Sequence, residues 1–587
     1  MIFSRDYMQL VRQYRIPALF CAVAVLVCEL ISRPYANMGI CDDGPYIFIT
    51  QHLATTGHIV FNGWSAAMLG WQLYLGAGLV KLFGFSFTTV RMSTLLVAAA
   101  LAFFLQRTMV QADISERNAT IGTLALVLSP LYLLLSATFM SDIHGLFAIV
   151  LCLYGCLRAL RAVSSGAAIG WLCFAVASNA ICGTSRQLAW LGVLVMVPST
   201  LWLLRAQRRV LLAGATATLA GVLFILGCLL WLKHQPYTTP ETFHISNVPV
   251  AFLSREFSRF FLEFPFLLVP IMLLFFPEMH KSSRRALGIF SAAFLVLSFI
   301  AMYWRRLPFL EPTLWDPPGC DWIVIYGEYQ SLSHGTPHIF LHDWMRLLLS
   351  LVAYGGVIGL LLSFFRPEQI RRANAVQSEV TGRQLGVLCA PFTVAYILLL
   401  ILRAAAVAND GTGALFDRYA LGLLLVALLC LVRYYQDRIH PNLPLSCAVL
   451  IALMAVYGVL ITHNTFALYR ARVAIAAELR AAGVPDTSVD NGWEYNIDVE
   501  LQHARYINNP GMVLPEHAYV RTPPLPTGTC NMVYHDETPV IHPLYGISFD
   551  PDACYGRAPF VPVQYSRWLG FGTGTLYVVN YVAAPKP

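Results

Sequence analysis

Long apolar runs recur along most of the chain, and they restrict its fold more than any other feature of the sequence. An α-helix of about 20 apolar residues crosses the hydrocarbon core of a bilayer with all of its backbone polar groups satisfied internally. The composition agrees with this, because 57% of the 587 residues are hydrophobic and only 12% are charged, unlike a soluble globular domain. The sequence therefore predicts a mainly α, polytopic helical membrane protein.

About thirteen of these runs are long enough to be transmembrane helices. They lie near 16–32, 88–106, 119–139, 142–160, 168–183, 187–204, 210–232, 260–277, 286–304, 346–365, 385–407, 418–436 and 444–462. One more run, 66–83, contains three glycines and fits either a span or a half-inserted segment.

The distribution of arginine decides how the run 66–83 is interpreted, because cytoplasmic loops of membrane proteins are enriched in Lys and Arg. If 66–83 does not span, the basic loops all fall on the side of the N-terminal arginines. These loops contain Arg107 with Arg117, Arg158 with Arg161, Arg205 with Arg208 and Arg209, Lys281 with Arg284 and Arg285, Arg366 with Arg371, Arg372 and Arg383, and Arg433 with Arg438. We therefore expect a juxtamembrane or re-entrant segment at 66–83 and a cytoplasmic N-terminus. The net charge of +7 follows from these loops and requires no nucleic-acid partner.

The last part of the chain differs in composition from the rest. Residues 463–587 alternate Tyr, Val, Pro and Gly, with little helical periodicity after about 482. We expect a transmembrane domain over 1–462 and a small C-terminal α/β domain over 463–587 on the extracytoplasmic side. Cys530 and Cys554 lie in this segment and would form a disulfide in an oxidising compartment.

The acidic pair Asp42-Asp43 follows the first apolar run by about ten residues, and Asp142 opens a later run. The topology places these carboxylates on the non-cytoplasmic face, where they are candidates for chemistry at the membrane surface. The same face receives His144, Arg186 and the sequence Asp417-Arg418-Tyr419. A structural interpretation stays open, because the acidic pair lies in a turn-like sequence and Asp142 is placed to cap a helix.

The order of these motifs resembles that of GT-C membrane glycosyltransferases of family 39, which include protein O-mannosyltransferases and the aminoarabinose transferase acting on lipid A. The resemblance covers most of the chain. Its motifs are Cys41-Asp42-Asp43-Gly44-Pro45-Tyr46, Leu69-Gly70-Trp71-Gln72-Leu73-Tyr74, Val90-Arg91-Met92-Ser93, Ser129-Pro130, Ser141-Asp142, Phe416-Asp417-Arg418-Tyr419-Ala420-Leu421, Gly483-Val484-Pro485 and Asn491-Gly492-Trp493-Glu494. Two positions depart from the family pattern: Asp43 stands where Glu is common, and Met68-Leu69-Gly70 replaces the His-Pro-Pro of the mannosyltransferases.

The resemblance implies transfer of a sugar from a polyprenyl-phosphate carrier to a lipid, glycan or protein acceptor, with inversion at the anomeric carbon. Asp42 aligns with the first acid of the family pair and is the expected general base, supported by Asp43 and Asp142. A leaving phosphate requires fixed cations, and Arg186 and Arg418, with Tyr419, are the expected donor phosphate ligands. The resemblance implies no specific cofactor, no residue is assigned as a metal ligand, and a divalent cation shared by the carboxylates stays open.

Each of the remaining candidates also has a structural interpretation. Arg186 could be an interfacial anchor, and Arg418 could pair with Asp417. His144 fits a packed interfacial histidine as well as a substrate ligand. Tyr46 and Trp64 could stack on a sugar or belong to an aromatic belt.

Three other functions fit a polytopic chain. A transporter or flippase of lipid-linked sugars predicts charges near the bilayer midplane, broken helices and related halves. An O-antigen ligase or polymerase would use diphosphate-linked donors, and a lipid-anchored scaffold would carry no catalytic group. The resemblance favours the transferase and a bacterial inner membrane.

Overall fold

The structure is a computed structural model that describes residues 5–240, 264–281, 284–285, 287–289, 291–292, 296, 327–329, 331–364, 379–407 and 416–583. The described part of the chain is mainly helical, with one small sheet near the C-terminus. Most of the predicted run 286–304 and the first part of 260–277 lie outside the described residues.

The described α-helices follow one another with short connections. They are α1 Arg5–Ser32, α2 Asp43–Thr56, α3 Gly70–Phe83, α4 Phe87–Gln111, α5 Glu116–Val127, α6 Pro130–Ser136, α7 Ser141–Leu160, α8 Ser165–Cys182, α9 Val197–Leu203, α10 Arg208–Lys233, α11 Val269–Met272, α12 Glu278–Lys281, α13 Asp343–Phe364, α14 Gly382–Val407, α15 Leu421–Arg438, α16 Leu445–Ala481 and α17 Gly492–Ala504. Short 3₁₀ or π turns connect some of them, including Gly183–Ser185, Gln187–Trp190, Gly192–Met196 and Asp417–Ala420.

Eight of the described helices are long and apolar enough to cross a membrane, or nine if the bent pair α5 and α6 forms one span. The chain is thus a multi-pass helical membrane protein, as the apolar runs predicted. The run 66–83 forms α3, a helix of only 14 residues. This length is below the roughly 20 residues that a span needs, in agreement with a juxtamembrane segment.

Serine side chains fix several of the helix starts. Ser86, Ser115 and Ser164 each accept a hydrogen bond from a backbone N–H in the first turn of the helix that follows. Ser129 does the same for α6, and Pro130 occupies the first helical position. Because Pro130 has no backbone N–H to donate to the preceding turn, the helix breaks there, and α6 is bent by 68° relative to α5.

Burial separates the central helices from the peripheral ones. α7 packs against α4 and α8, and 78% of its apolar segment is buried. α10 is only 22% buried and exposes Leu212, Leu219, Leu223 and Leu230, as expected of a helix that faces lipid. The residues that begin α7 are therefore held at the centre of the helical assembly.

α16 has 37 residues, which is about 55 Å at 1.5 Å per residue and longer than a bilayer core. The predicted domain boundary at 463 falls within this helix. Its second half packs against β3 and β4, so one continuous helix joins the membrane part to the C-terminal part.

The C-terminal part contains α17 and a four-stranded sheet in the order β1-β2-β4-β3. The strands are β1 Val489–Asp490, β2 Tyr545–Ser548, β3 Val563–Arg567 and β4 Gly572–Asn580, and β1 and β2 pair in parallel while the other pairs are antiparallel. The predicted small α/β region is confirmed. Cys530 and Cys554 form the expected disulfide beside this sheet.

Candidate active site

The acidic pair lies in a tight turn between α1 and α2, and its second member is completely buried. Asp43 forms a two-point ion pair with Arg91 of α4, at 2.7 Å and 3.0 Å. Its oxygens also accept hydrogen bonds from the backbone N–H groups of Ile40 and Phe139. Arg91 in turn donates to the carbonyl of Met38. The carboxylate oxygens of Asp43 are therefore occupied by hydrogen bonds that hold the turn in place.

Asp42 points to the opposite side of the same turn. Cys41 has a left-handed φ of 53°, which redirects the chain immediately before Asp42. The Asp42 side chain keeps 26% of its surface exposed, and its Oδ2 lies 3.3 Å from Arg418 Nη2. Burial raises the pKa of the Asp42 carboxyl above its ordinary value, and Arg418 acts against this rise. Asp42 is thus a partly accessible carboxyl with a tuned pKa, which suits a general base.

Arg418 and Arg186 meet around Asp142 at the first turn of α7. Arg186 donates to Asp142 Oδ1 at 2.6 Å, and Arg418 lies 3.7 Å from Asp142 Oδ2. Asp142 is buried, with 1% of its side chain exposed. Together with Gly145 and Tyr396, these three side chains line a narrow cavity of about 10 Å³. Two guanidinium groups and one carboxylate from three separate segments therefore converge on one space.

Tyr419 organises the arginines of this cluster. Arg186 and Arg403 each lie 4.9 Å from the centre of its ring, and Arg418 lies 5.5 Å away. The Tyr419 hydroxyl accepts a hydrogen bond from Arg403 Nη2, and Tyr396 donates to the Tyr419 carbonyl. A cation–π contact uses the face of the guanidinium. The N–H groups, which lie in the plane of the guanidinium, therefore remain able to donate to a ligand.

The other three predicted ligands have different surroundings. Tyr46 is half-buried, and the nearby Asp42 carboxyl helps burial to raise its pKa. His144 is fully buried and packs edge-on against Trp71 and Phe139. Trp64 packs against Trp493 of α17, at 4.5 Å between ring centres, and belongs to a separate aromatic group with Tyr534.

Sequence reasoning did not single out Arg403, although a signal was present. It lies in α14, inside an apolar run, and an arginine in such a run is a functional candidate by default. Glu494 and Asp498 of α17 were also missed as individual residues. They approach the acidic pair only through tertiary contacts, and Glu494 adds to the negative potential that raises the Asp42 pKa.

The only group among the described residues that brings three metal-ligating atoms within 4.8 Å consists of His334, Cys530 and Cys554. Two of its members form the disulfide. Asp42, Asp43 and Asp142 do not gather into such a group within the described ranges.

Comparison with known proteins finds structural relatives at low identity. No family model matches the chain, and no curated protein matches its sequence. Among solved structures, the chain is similar to apo ArnT from Cupriavidus metallidurans, with a TM-score of 0.40 and 14% identity over 96% of this chain and 98% of that one. The same protein bound to undecaprenyl phosphate gives a TM-score of 0.37 and 14% identity over 97% and 99% of the two chains. The Archaeoglobus fulgidus oligosaccharyltransferase gives a TM-score of 0.37 and 13% identity over 89% of this chain and 67% of that one.

Proposed function

We propose that this protein is an inverting glycosyltransferase that moves a sugar from a polyprenyl-phosphate carrier to an acceptor hydroxyl at the membrane surface. One observation carries the proposal: the partly exposed carboxyl of Asp42 contacts Arg418, which also reaches the cluster of Asp142 and Arg186. The base is thus close to two phosphate ligands, Arg186 and Arg418, which lie at the ends of helices that are long enough to span the membrane.

The reaction requires a proton acceptor and a site for the leaving phosphate. Asp42 accepts the proton of the acceptor hydroxyl as its oxygen attacks the anomeric carbon. The bond between that carbon and the phosphate oxygen breaks on the opposite face, which inverts the anomeric centre. The electron pair stays with the carrier phosphate, and Arg186 and Arg418 stabilise the added charge. Asp142 and the ring of Tyr419 hold both guanidinium groups in position for this role.

The remaining predicted residues have supporting roles in the proposal. Asp43 fixes the turn that presents Asp42, since it is saturated by Arg91 and two backbone N–H groups. Tyr46 lies beside the base and is placed to contact the acceptor, while His144 packs against Trp71 and Phe139 and supports the start of α7. Trp64 packs against Trp493 of α17 and would act on the acceptor side.

The topology proposed from the basic loops puts the site on the extracytoplasmic face of a bacterial inner membrane. The N-terminus would then be cytoplasmic and the C-terminal part extracytoplasmic. ArnT, a structural relative at 14% identity, has been solved with undecaprenyl phosphate. We propose the same class of carrier here, with a hexose or pentose as the transferred sugar and a lipid, glycan or protein as the acceptor.

One feature favours the alternative of a transporter for lipid-linked sugars. The bend of 68° between α5 and α6 makes a broken helix of the kind that transporters use at their substrate sites. Asp142 and Arg418, however, lie at the first turn of α7 and in the 3₁₀ turn before α15, and not at this bend. The experiment below separates the two functions.

The test measures transfer from radiolabelled polyprenyl-phosphate sugars to lipid, glycan and protein fractions by the purified full-length protein. We expect transfer by the wild type and a loss of about a thousand-fold in Asp42→Asn, since general-base catalysis contributes about 10²–10⁴ in rate. Asp552→Asn is the matched control, because Asp552 is an exposed carboxyl in the C-terminal part. We expect it to transfer like the wild type.

Folding of each variant is checked by its melting temperature in detergent. Full transfer by a folded Asp42→Asn protein would move the base to another residue. Absence of transfer from every donor, together with movement of the carrier across liposomes, would replace the transferase with the transporter.

A further inference from the structure

The carboxyl of Asp498, on α17 of the C-terminal part, reaches the turn that carries the acidic pair. Asp498 Oδ2 accepts a hydrogen bond from the backbone N–H of Gly39 at 3.3 Å. Only 8% of Asp498 is exposed, and its Oδ1 has no hydrogen-bond partner among the residues that the structure describes. Burial of a carboxyl oxygen without a hydrogen-bond partner costs free energy. The chain therefore places Asp498 here at the expense of stability.

α17 is itself fixed to the membrane part by a second carboxyl, one helical turn before Asp498. Glu494 forms a fully buried ion pair with Arg472 of α16 at 3.0 Å. The hydroxyl of Tyr469, also on α16, donates to Glu494 at 2.6 Å. Since α16 is the continuous helix that joins the two parts, α17 presents Asp498 from a rigid support.

Gly39 and Gly44, at the two ends of the turn 39–44, pack against each other and against the Asp498 carboxyl. A Cβ atom on Gly39 would be 3.0 Å from the Cα of Gly44, and a Cβ on Gly44 would be 3.0 Å from Asp498 Oδ1. No side chain fits between these three groups without displacement. Asp42 lies inside this turn, so the position of Gly39 determines where the Asp42 side chain begins.

The two ends of the turn are held from different sides. From the membrane side, Arg91 binds the carbonyls of Ala36 and Met38, and Asp43 binds the N–H of Ile40. From the C-terminal side, the Asp498 carboxyl accepts a hydrogen bond from the N–H of Gly39, which lies between Met38 and Ile40. Removal of Asp498 would leave the buried N–H of Gly39 without its acceptor, and the turn would move to find another.

We propose that Asp498 is a positioning residue for Asp42, through which the C-terminal part sets the geometry of the base. This inference rests on the proposed function for its effect on catalysis, while its effect on the turn is independent of that function. Displacement of a catalytic group by about 1 Å lowers the rate up to about a hundred-fold.

Two readouts on the full-length protein test the proposal. Hydrogen exchange measured by mass spectrometry reports the protection of the backbone at 36–44, and the transfer assay gives kcat and KM for the donor. Asp498→Ala should increase exchange at 36–44 and lower kcat by about ten-fold to a hundred-fold, with donor KM changed less than about three-fold. Asp498→Asn keeps an oxygen acceptor for Gly39 and should restore both values.

Glu500→Ala is the matched control, because Glu500 is a buried carboxyl on the same helix. It accepts a hydrogen bond from the N–H of Val540 in the C-terminal part and does not contact the turn. Its loss should leave exchange at 36–44 unchanged. A turn in Asp498→Ala that stays as protected as in the wild type would overturn the proposal, whether or not the protein transfers sugar.

The outcomes separate the two hypotheses. Increased exchange in Asp498→Ala, with no transfer by the wild type, would support the contact and refute the proposed function. Wild-type transfer with equal kcat in a folded Asp498→Ala protein would refute positioning and leave the transferase in place. An equal loss in Asp498→Ala and Asp498→Asn would also contradict the proposal, because the hydrogen bond to Gly39 would then not be the cause.

Discussion

Asp42 and Asp43 are neighbours in the chain, yet they belong to two regions with opposite character. The Asp43–Arg91 region is closed: the side chains are 0% and 2% exposed, and the carboxylate is bound by the guanidinium and two backbone N–H groups. The Asp42–Arg418 region is open: Asp42 is 26% exposed and makes one longer contact of 3.3 Å. The same residue type thus supports the scaffold at one position and remains available to a ligand at the next.

The difference follows from the energetics of buried charge. A carboxylate in a dry interior is stable only when it is paired and its remaining lone pairs are satisfied, and such a group has little capacity left for a substrate. A partly exposed carboxylate beside an arginine keeps capacity and has a pKa that the arginine can adjust. Saturation of hydrogen bonds therefore separates structural from functional acids better than proximity to the membrane surface does.

The comparison predicts its largest effect in the closed region. Asp43→Asn should lower the free energy of unfolding by about 3–5 kcal/mol, because Arg91 would remain buried without its counter-charge. Asp42→Asn should change it by less than about 1 kcal/mol, as expected for a partly exposed pair. Thermal unfolding of both variants in the same detergent measures the difference. Equal losses would show that Asp42 is as structural as Asp43.

The sequence could predict the helices better than it could separate these two acids. An apolar run of 20 residues is local information, and the runs near 142–160 and 210–232 appear as α7 and α10. The role of Asp43 depends on Arg91, which is 48 residues away in the chain and becomes its partner only through packing. The motif order included Asp43 and Arg91 but did not indicate that the Asp43 carboxylate pairs with the Arg91 guanidinium.

Two other features were beyond a reading of local pattern. The sequence indicated helical periodicity up to about 482, close to the end of α16 at Ala481, but not that this helix runs unbroken through the boundary predicted at 463. The contact between Asp498 and Gly39 joins residues 459 positions apart, so neither spacing nor composition indicates it. Contacts between distant segments determine which polar groups have all of their hydrogen-bond partners. Local sequence patterns do not contain this information.

Within the open region, the pH dependence of transfer should report the Asp42–Arg418 pair. Burial raises the pKa of Asp42, so the base is protonated at a higher pH than an ordinary carboxyl, and kcat/KM should fall as the pH decreases through this raised pKa. Arg418 lowers that pKa, so Arg418→Gln should move the acid limb to higher pH. Plots of log kcat/KM against pH for the two proteins measure the shift. An unchanged acid limb would show that Arg418 does not tune the base.

The smallest expected effect lies where the C-terminal part meets the turn. Burial raises the pKa of Asp498 from 3.8 to about 8; the Gly39 N–H and Arg91 oppose this rise, and Asp43 and Glu494 add to it. Between these two pH values the folded protein keeps a proton that the unfolded chain has released, so stability attributable to Asp498 falls as pH rises and is constant above about 8.

Asn at this position carries no titrating proton, and we expect the groups remote from Asp498 to titrate alike in both proteins. The melting temperature of Asp498→Asn minus that of the wild type should therefore increase from pH 5 to pH 8 and stay level above it. The same difference for Glu500→Gln should level off earlier, since the pKa of Glu500 is raised by burial to about 7. A difference for Asp498→Asn that is constant with pH would mean that Asp498 is ionised in the folded protein. The Gly39 contact would then be a charge-assisted hydrogen bond that belongs with the closed region around Arg91.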